Sequence, residues 1–259
     1  MKLVRVLSAL TVAFSLAGLP VSHARAQTIE TFRGLPLSFE ANHGQTDRQV
    51  DFIARGSGYT VFLTPRESVL MLRGSDTSMD GHGQVQSSAV SLRVRLVGAN
   101  PQPHAAGLEK LPGRVNYFRG KDPARWRTNI PAYAQVRYRE IYSGIDLVYY
   151  GTQRQLEYDF VVRPGADPKS IILAFEGAEK IEVNPEGDLL LHTAGGAIRH
   201  RKPVIYQEVD GARREIAGGY VLKGAREVGF KLASYDSSRP LVIGMAAAIT
   251  AAISVGWWP

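Results

Sequence analysis

The stretch Gln155–Pro168, "QLEYDFVVRPGADP", poses the question that decides the fold. It holds two carboxylates, Glu157 and Asp159, two residues apart and flanked by aromatics. In an extended chain alternate side chains share a face. Leu156, Tyr158, Phe160 and Val162 then fall on one side, and Glu157, Asp159, Val161 and Arg163 on the other. That alternation predicts a half-buried β-strand with a polar outer face. The Cα atoms of the two acids would stand ~6.6–7 Å apart on that face. Arg163, two positions further along that face, is placed to pair with Asp159.

Working outward, the same period recurs. "SAVSLRVRLVG" (Ser88–Gly98) puts Val90, Leu92, Val94 and Leu96 on one face and Ser91, Arg93 and Arg95 on the other. "GYTVFLTPRESVLMLRG" (Gly58–Gly74) is two apolar runs joined by a Pro-containing turn, and so reads as a hairpin. "VIYQEVDGARREIAGGYVL" (Val204–Leu222) reads as another, with Asp210-Gly211 at its tip. "REVGFKLASYD" adds a strand. No segment before the C-terminal tail carries a capped 3.6-residue apolar stripe. The expected class is all-β: an antiparallel, β-sandwich-like fold of two packed subdomains, residues 27–105 and 106–243. Ser75–Gln86 is polar and glycine-rich and is expected to be a long exposed hairpin loop. Asn100–Gly113, with three prolines, is expected to connect the subdomains.

The N-terminus has a basic start (Lys2, Arg5), an apolar run Val6–Leu19 and an Ala24-Arg25-Ala26 motif. This is the pattern of a secretory signal peptide over residues 1–26. The location it implies is secreted or extracytoplasmic. Its removal takes Lys2, Arg5 and Arg25, so the formal charge falls from +7 to +4. That mild balance in an exported chain gives no reason to propose a nucleic-acid partner. The chain has no cysteine. Thiol chemistry and cysteine-ligated metals are excluded, and a core of roughly 230 residues must hold the fold without disulfides. The last residues, 244–259, "GMAAAITAAISVGWWP", carry no charge. Three readings stand for this tail: a membrane anchor, a buried terminal helix, or residues introduced by a frameshift or gene truncation.

For chemistry, the histidines are scattered and no pair has metal-site spacing. His43 sits in a polar turn. "MDGHGQ" lacks the acidic ladder of a Ca²⁺ loop. No metal and no cofactor is expected. The segment Gly113–Gly144 is different. It interleaves Arg114, Arg119, Lys121, Arg125, Arg127, Arg137 and Arg139 with Tyr117, Phe118, Trp126, Tyr133, Tyr138 and Tyr142. Outside the cytoplasm such a surface would suit an acidic glycan or envelope lipid. The candidate ligand-binding residues are Arg125, Trp126, Arg127, Tyr133 and Tyr138. Aromatics also favour strands, and arginine stems also cover apolar surface.

Four blocks, taken in order, carry a resemblance. They are "FEANHGQTDRQVDFIARGSGYTVFL", "NYFRGKDPARWRTNIPAYAQVRYREIYSGIDLVYYG", "LEYDFVVRPGADPKSIILAFEGA" and "DLLLHTAGGAIRHRKPVIYQE". Over Leu35–Ile243 the chain resembles the N-terminal β domain of large bacterial cell-surface proteins that go on into seven-bladed β-propeller-type (SBBP) repeats. The resemblance implies an exported, all-β, largely uncharacterised domain with no catalytic motif. It implies turn roles for Gly144, Gly151 and Gly165, and strand-end roles for Pro123, Pro131 and Pro164. It implies core roles for Trp126 and Tyr158. It also implies that C-terminal repeats belong after Ile243, where this chain has its apolar tail.

Three functions follow as expectations. The first is a non-enzymatic structural or adhesive module at the cell surface. The second is a glycan-binding module using the basic-aromatic segment. The third is a glycoside hydrolase using Glu157 and Asp159. Against the third, acid–base catalysis needs two environments that push the two pKa values apart. Neighbours on one solvated face have nearly the same environment.

Overall fold

The computed structural model describes residues 36–79, 85–194 and 196–248, with backbone alone over 73–79 and 85–89. Residues 1–26, expected to be a signal peptide, and residues 249–259 lie outside the described residues. So does most of the "MDGHGQ" loop.

The fold is nearly all antiparallel strand, in one large, nearly closed sheet. Eighteen strands are described. One run of ladders joins β1 (Phe39–Ala41), β2 (Phe52–Gly56), β3 (Tyr59–Leu63), β4 (Glu67–Met79) and β5 (Val85–Leu96). It continues through β10 (Leu173–Glu176) and β17 (Glu227–Leu232) to β16 (Gly218–Leu222). The second run joins β6 (His104–Tyr117), β7 (Arg127–Tyr142), β8 (Ile145–Thr152), β9 (Gln155–Val162) and β18 (Leu241–Ala248). The far edge of β18 is shared by β13 (Gly196–His200) and β14 (Val204–Val209). Beyond them lie β12 (Leu189–Thr193), β11 (Lys180–Val183) and β15 (Ala212–Glu215). β1 links the runs, pairing with β7 through Phe39 opposite Tyr133.

The two runs face one another across a single cluster of buried side chains. Phe160 on β9 meets Phe230 on β17 edge-on at 6.5 Å. The alternation read from the sequence is what builds this layer. Along β9, Leu156, Tyr158, Phe160 and Val162 are buried and the residues between them are half-buried. Leu92, Val94 and Leu96 of β5 are buried while Arg93 and Arg95 are exposed. Asp210 and Gly211 both take left-handed φ (53° and 78°), the geometry of a tight two-residue hairpin turn. Gly144, Gly151 and Gly165 have φ of 71°, 139° and 78°. At Gly151 an added Cβ would also stand 2.2 Å from the Gln155 carbonyl.

Several expectations are corrected. From His104 the stretch expected to connect the subdomains is strand β6, which crosses residue 105 and pairs with β7. Ladders β1–β7 and β5–β10 also cross that point. The stretch expected as a loop from Ser75 is strand as far as Met79 and again from Val85. The last strand does not stop at Ile243. It runs to Ala248 with Met245 and Ala247 buried, in register with β9 from Leu241–Val162 to Ala248–Gln155. The small uncharged residues that set the tail apart in composition suit a strand packed on both edges. Pro131 lies inside β7, beside a bulge where Asn129 has φ 59°. Trp126 is half-buried at the tip of the β6–β7 ribbon, outside the core. Arg163 pairs with Glu140 and with Asp146 (2.9 Å), not with Asp159.

Candidate functional site

The β6–β7 ribbon is the longest hairpin whose side chains are fully described, and its outer end is the basic-aromatic segment. Bulges with left-handed φ at Glu109 (53°) and Asn129 (59°) bend it. The Asn129 conformation is held by its N–H donating to Asn116 Oδ1 at 2.8 Å.

The turn at the tip is built from local hydrogen bonds. Asp122 caps a short 3₁₀ turn, Pro123–Arg125, by accepting the Ala124 N–H at 3.0 Å. The Trp126 indole Nε1–H donates to the Gly120 carbonyl at 3.2 Å, where Gly120 has φ 73°. The indole is therefore held from below. Phe118 stands edge-on to it at 5.1 Å and is 63% exposed, an apolar ring presented to solvent. Arg114, Arg119, Lys121 and Arg125 are exposed around this pair and enter no ion pair among the described residues. Asp122 is the single acid between Arg114 and Arg127 in the sequence, and its carboxylate is occupied by the cap.

Beneath the tip, Tyr117 lies between two guanidinium groups, Arg55 at 5.5 Å and Arg119 at 5.6 Å from its ring centre. Its hydroxyl donates to Glu40, which is buried and paired to Arg55 at 3.1 Å. Burial, and then the hydrogen bond to Glu40, push the Tyr117 hydroxyl up to about 12. It thus stays a donor, and Arg55, Tyr117 and Glu40 lock the ribbon to β1 and β2. Arg127 donates to the Trp126 carbonyl at 3.2 Å, and its Nε lies 3.1 Å from where a Cβ on Gly44 would sit.

Of the five predicted binding residues, Arg125, Trp126 and Arg127 come together at the tip. Tyr133 does not join them. Half-buried at the ribbon's base, it covers Gly107 and meets Phe52 edge-on at 6.1 Å. Tyr138 is 1% exposed, inside the core, and donates its hydroxyl to Asp51 at 3.1 Å. The signal for this was present: Tyr138 shares its phase with Val136, which is also buried. Arg55 and Glu40, which anchor the tip, were missed because they belong to strands distant in sequence.

Glu157 and Asp159 lie on the outer face of β9, as the alternation predicts, but they are half-buried there. Tyr150 donates to Asp159 Oδ1 at 2.9 Å. Gly244 stands opposite Asp159 in the ladder, leaving room for that carboxylate. Burial is the first cause raising both carboxyls. At Glu157 the Asp159 charge adds to the rise and Arg201 opposes it; at Asp159 the Tyr150 hydrogen bond, and then Arg213, oppose it. Both carboxyls move the same way, upward.

Residues 39–244 match the family model described as Domain of unknown function (DUF7948). The chain belongs to this family. Comparisons with curated proteins and with solved structures gave no match. The DUF7948 span opens at Phe39, the first residue of β1, and closes at Gly244, within β18. It contains the whole ribbon tip and both carboxylates of β9.

Proposed function

We propose that this DUF7948 domain is an exported, non-enzymatic adhesive module that holds an acidic glycan at the tip of its β6–β7 ribbon. The observation that carries the reading is the exposed Phe118, set against a pinned Trp126 and neighboured by Arg114, Arg119, Lys121 and Arg125, which enter no ion pair among the described residues. An aromatic pair offers a surface to the apolar face of a sugar ring. Free guanidinium groups take carboxylate or sulfate in two-pronged hydrogen bonds. Export rests on the signal-peptide pattern of residues 1–26. The surface setting rests on the resemblance to N-terminal domains of SBBP-repeat proteins, in which repeats following the domain would be its other partner. The non-enzymatic side of the reading is supported by Glu157 and Asp159 lying on one face of β9 with both carboxyls raised by burial, and not pushed in opposite directions.

The test is retention of the protein on immobilised polygalacturonate and heparin across a salt gradient. Binding that falls with salt is expected. Trp126→Ala, or Arg119→Ala with Arg125→Ala, should weaken it about tenfold or more, the scale of an interface hot spot. Failure to bind either polymer at low salt, or wild-type retention by both variants, would reject the reading.

A further inference from the structure

A large cleft lies elsewhere among the described residues, away from the ribbon tip. It opens where the turn before β2, the β3–β4 turn and the segment after β5 meet, with a volume of about 1110 Å³. That is slightly above the roughly 300–1,000 Å³ of ordinary small-ligand pockets. Asp51 lines it. One carboxylate oxygen of Asp51, Oδ2, accepts the hydroxyl of the buried Tyr138 at 3.1 Å. The other, Oδ1, has no partner among the described residues. Desolvation raises the Asp51 carboxyl and the Tyr138 bond opposes the rise. This half-buried acceptor is held in place by the core.

The remaining charges sort themselves by their pairing. Glu67 is taken by Arg93, and Arg95 by Glu176 at 2.8 Å. Arg48 and Arg66, both exposed on the cleft's rim, enter no ion pair among the described residues. The cleft therefore offers one fixed hydrogen-bond acceptor and two free guanidinium groups, with apolar wall from Pro65, Val97 and Pro101. An ammonium ligand would find one carboxylate and a net positive rim. A ligand with hydroxyls to donate and a carboxylate to offer fits both halves.

We propose that the cleft beside Asp51 is a second binding site, which takes a single acidic sugar residue of the uronic-acid class. Sugar hydroxyls donate to Asp51 Oδ1, and the sugar carboxylate meets Arg48 and Arg66. This inference stands on the cleft's own residues and does not need the ribbon tip.

The test is a titration of the ¹⁵N-labelled full chain with sodium glucuronate, followed by amide chemical shifts. Saturable shifts around Asp51, Arg66 and Val97 are expected with a dissociation constant of about 1 mM, typical of a small ligand held by a few polar contacts. Glucose and acetate should each bind at least about tenfold more weakly, since each lacks one half of the recognition. Asp51→Asn keeps the side-chain shape and should lose a similar factor. Arg48→Ala with Arg66→Ala alters only exposed turn positions, so it should fold and also lose binding. Trp126→Ala should leave these shifts unchanged, which separates this site from the tip. No saturable shift with glucuronate would overturn the proposal. So would equal affinity for acetate, or wild-type binding by the arginine double variant.

Discussion

The two ends of β7 make different demands on the same backbone. At its C-terminal end Val136, Tyr138, Ile141 and Tyr142 are buried, and β6 and β8 flank the strand. At its N-terminal end Arg127, Thr128 and Asn129 are half-buried or exposed, and the pairing is with β6 alone, interrupted by bulges. One end is held by tertiary packing. The other is held by a few local hydrogen bonds around Asp122 and Trp126. The difference teaches that aromatic content does not locate function. Tyr138 and Trp126 lie in one aromatic-rich segment, yet one is core and the other is surface.

The sharpest break of the comparison is made in the core. Phe160 is fully buried and touches the rings of Tyr142, Tyr158 and Phe230 at centroid distances of 6.3–6.5 Å. The contact with Phe230 joins the two runs of strands. Phe160→Ala should cost about 3–5 kcal/mol, the usual range for a buried phenylalanine, because the facing sheets cannot close on the void. Urea denaturation checks this. A loss under 1 kcal/mol would mean that the runs do not depend on one another.

A somewhat smaller effect is expected from pH. His200 is 3% exposed, between Phe175 (5.7 Å between ring centres) and Tyr158 (6.1 Å). Desolvation pushes it from 6.5 down to about 4. The folded protein then binds fewer protons than the unfolded chain between those two values. Its stability is undiminished above pH 6.5 and falls as pH drops towards 4, by about 3 kcal/mol at the lower end. Asp51, Glu157 and Asp159 act in the opposite sense, since their folded values are raised and acidification relieves them. The comparison is therefore between wild type and His200→Phe, denatured at a series of pH values. The variant should lose the slope between pH 6.5 and 4, whatever its stability at neutral pH. An unchanged slope would mean that the imidazole is not buried.

The strands were legible wherever one face is buried and the other is not. "QLEYDFVV" could be assigned face by face because a period of two is the direct imprint of a sheet on a core. The Asp210-Gly211 turn was legible because few residue pairs accept two left-handed φ values in succession. What could not be read is pairing at a distance. Nothing near Arg163 says that Glu140 and Asp146 are its partners, and Asp159, two positions back along the same face, was the natural local choice. Nothing in the uncharged tail says that Gly244–Ala248 lies between β9 and β13–β14. Composition marks such a segment as unusual, but only the ladder shows what it packs against. Tyr138 is the instructive case. Composition placed it with the surface aromatics, while its phase placed it in the core, and phase was the better guide.

The smallest expected effect on stability falls at the other end of β7, and it is the most informative there. The Trp126 indole makes one hydrogen bond, to Gly120, and one ring contact, to the exposed Phe118. Neither reaches the core cluster. Trp126→Ala should change the unfolding free energy by no more than about 0.5 kcal/mol, as surface substitutions usually do. The same substitution should abolish most retention on acidic polysaccharide. A residue whose removal leaves the fold intact but removes binding is kept for binding. If Trp126→Ala instead destabilises the domain as Phe160→Ala does, the tip is part of the scaffold and the contrast along β7 collapses. Measuring both quantities on one preparation decides between the two, because a structural role and a binding role predict opposite orders of effect.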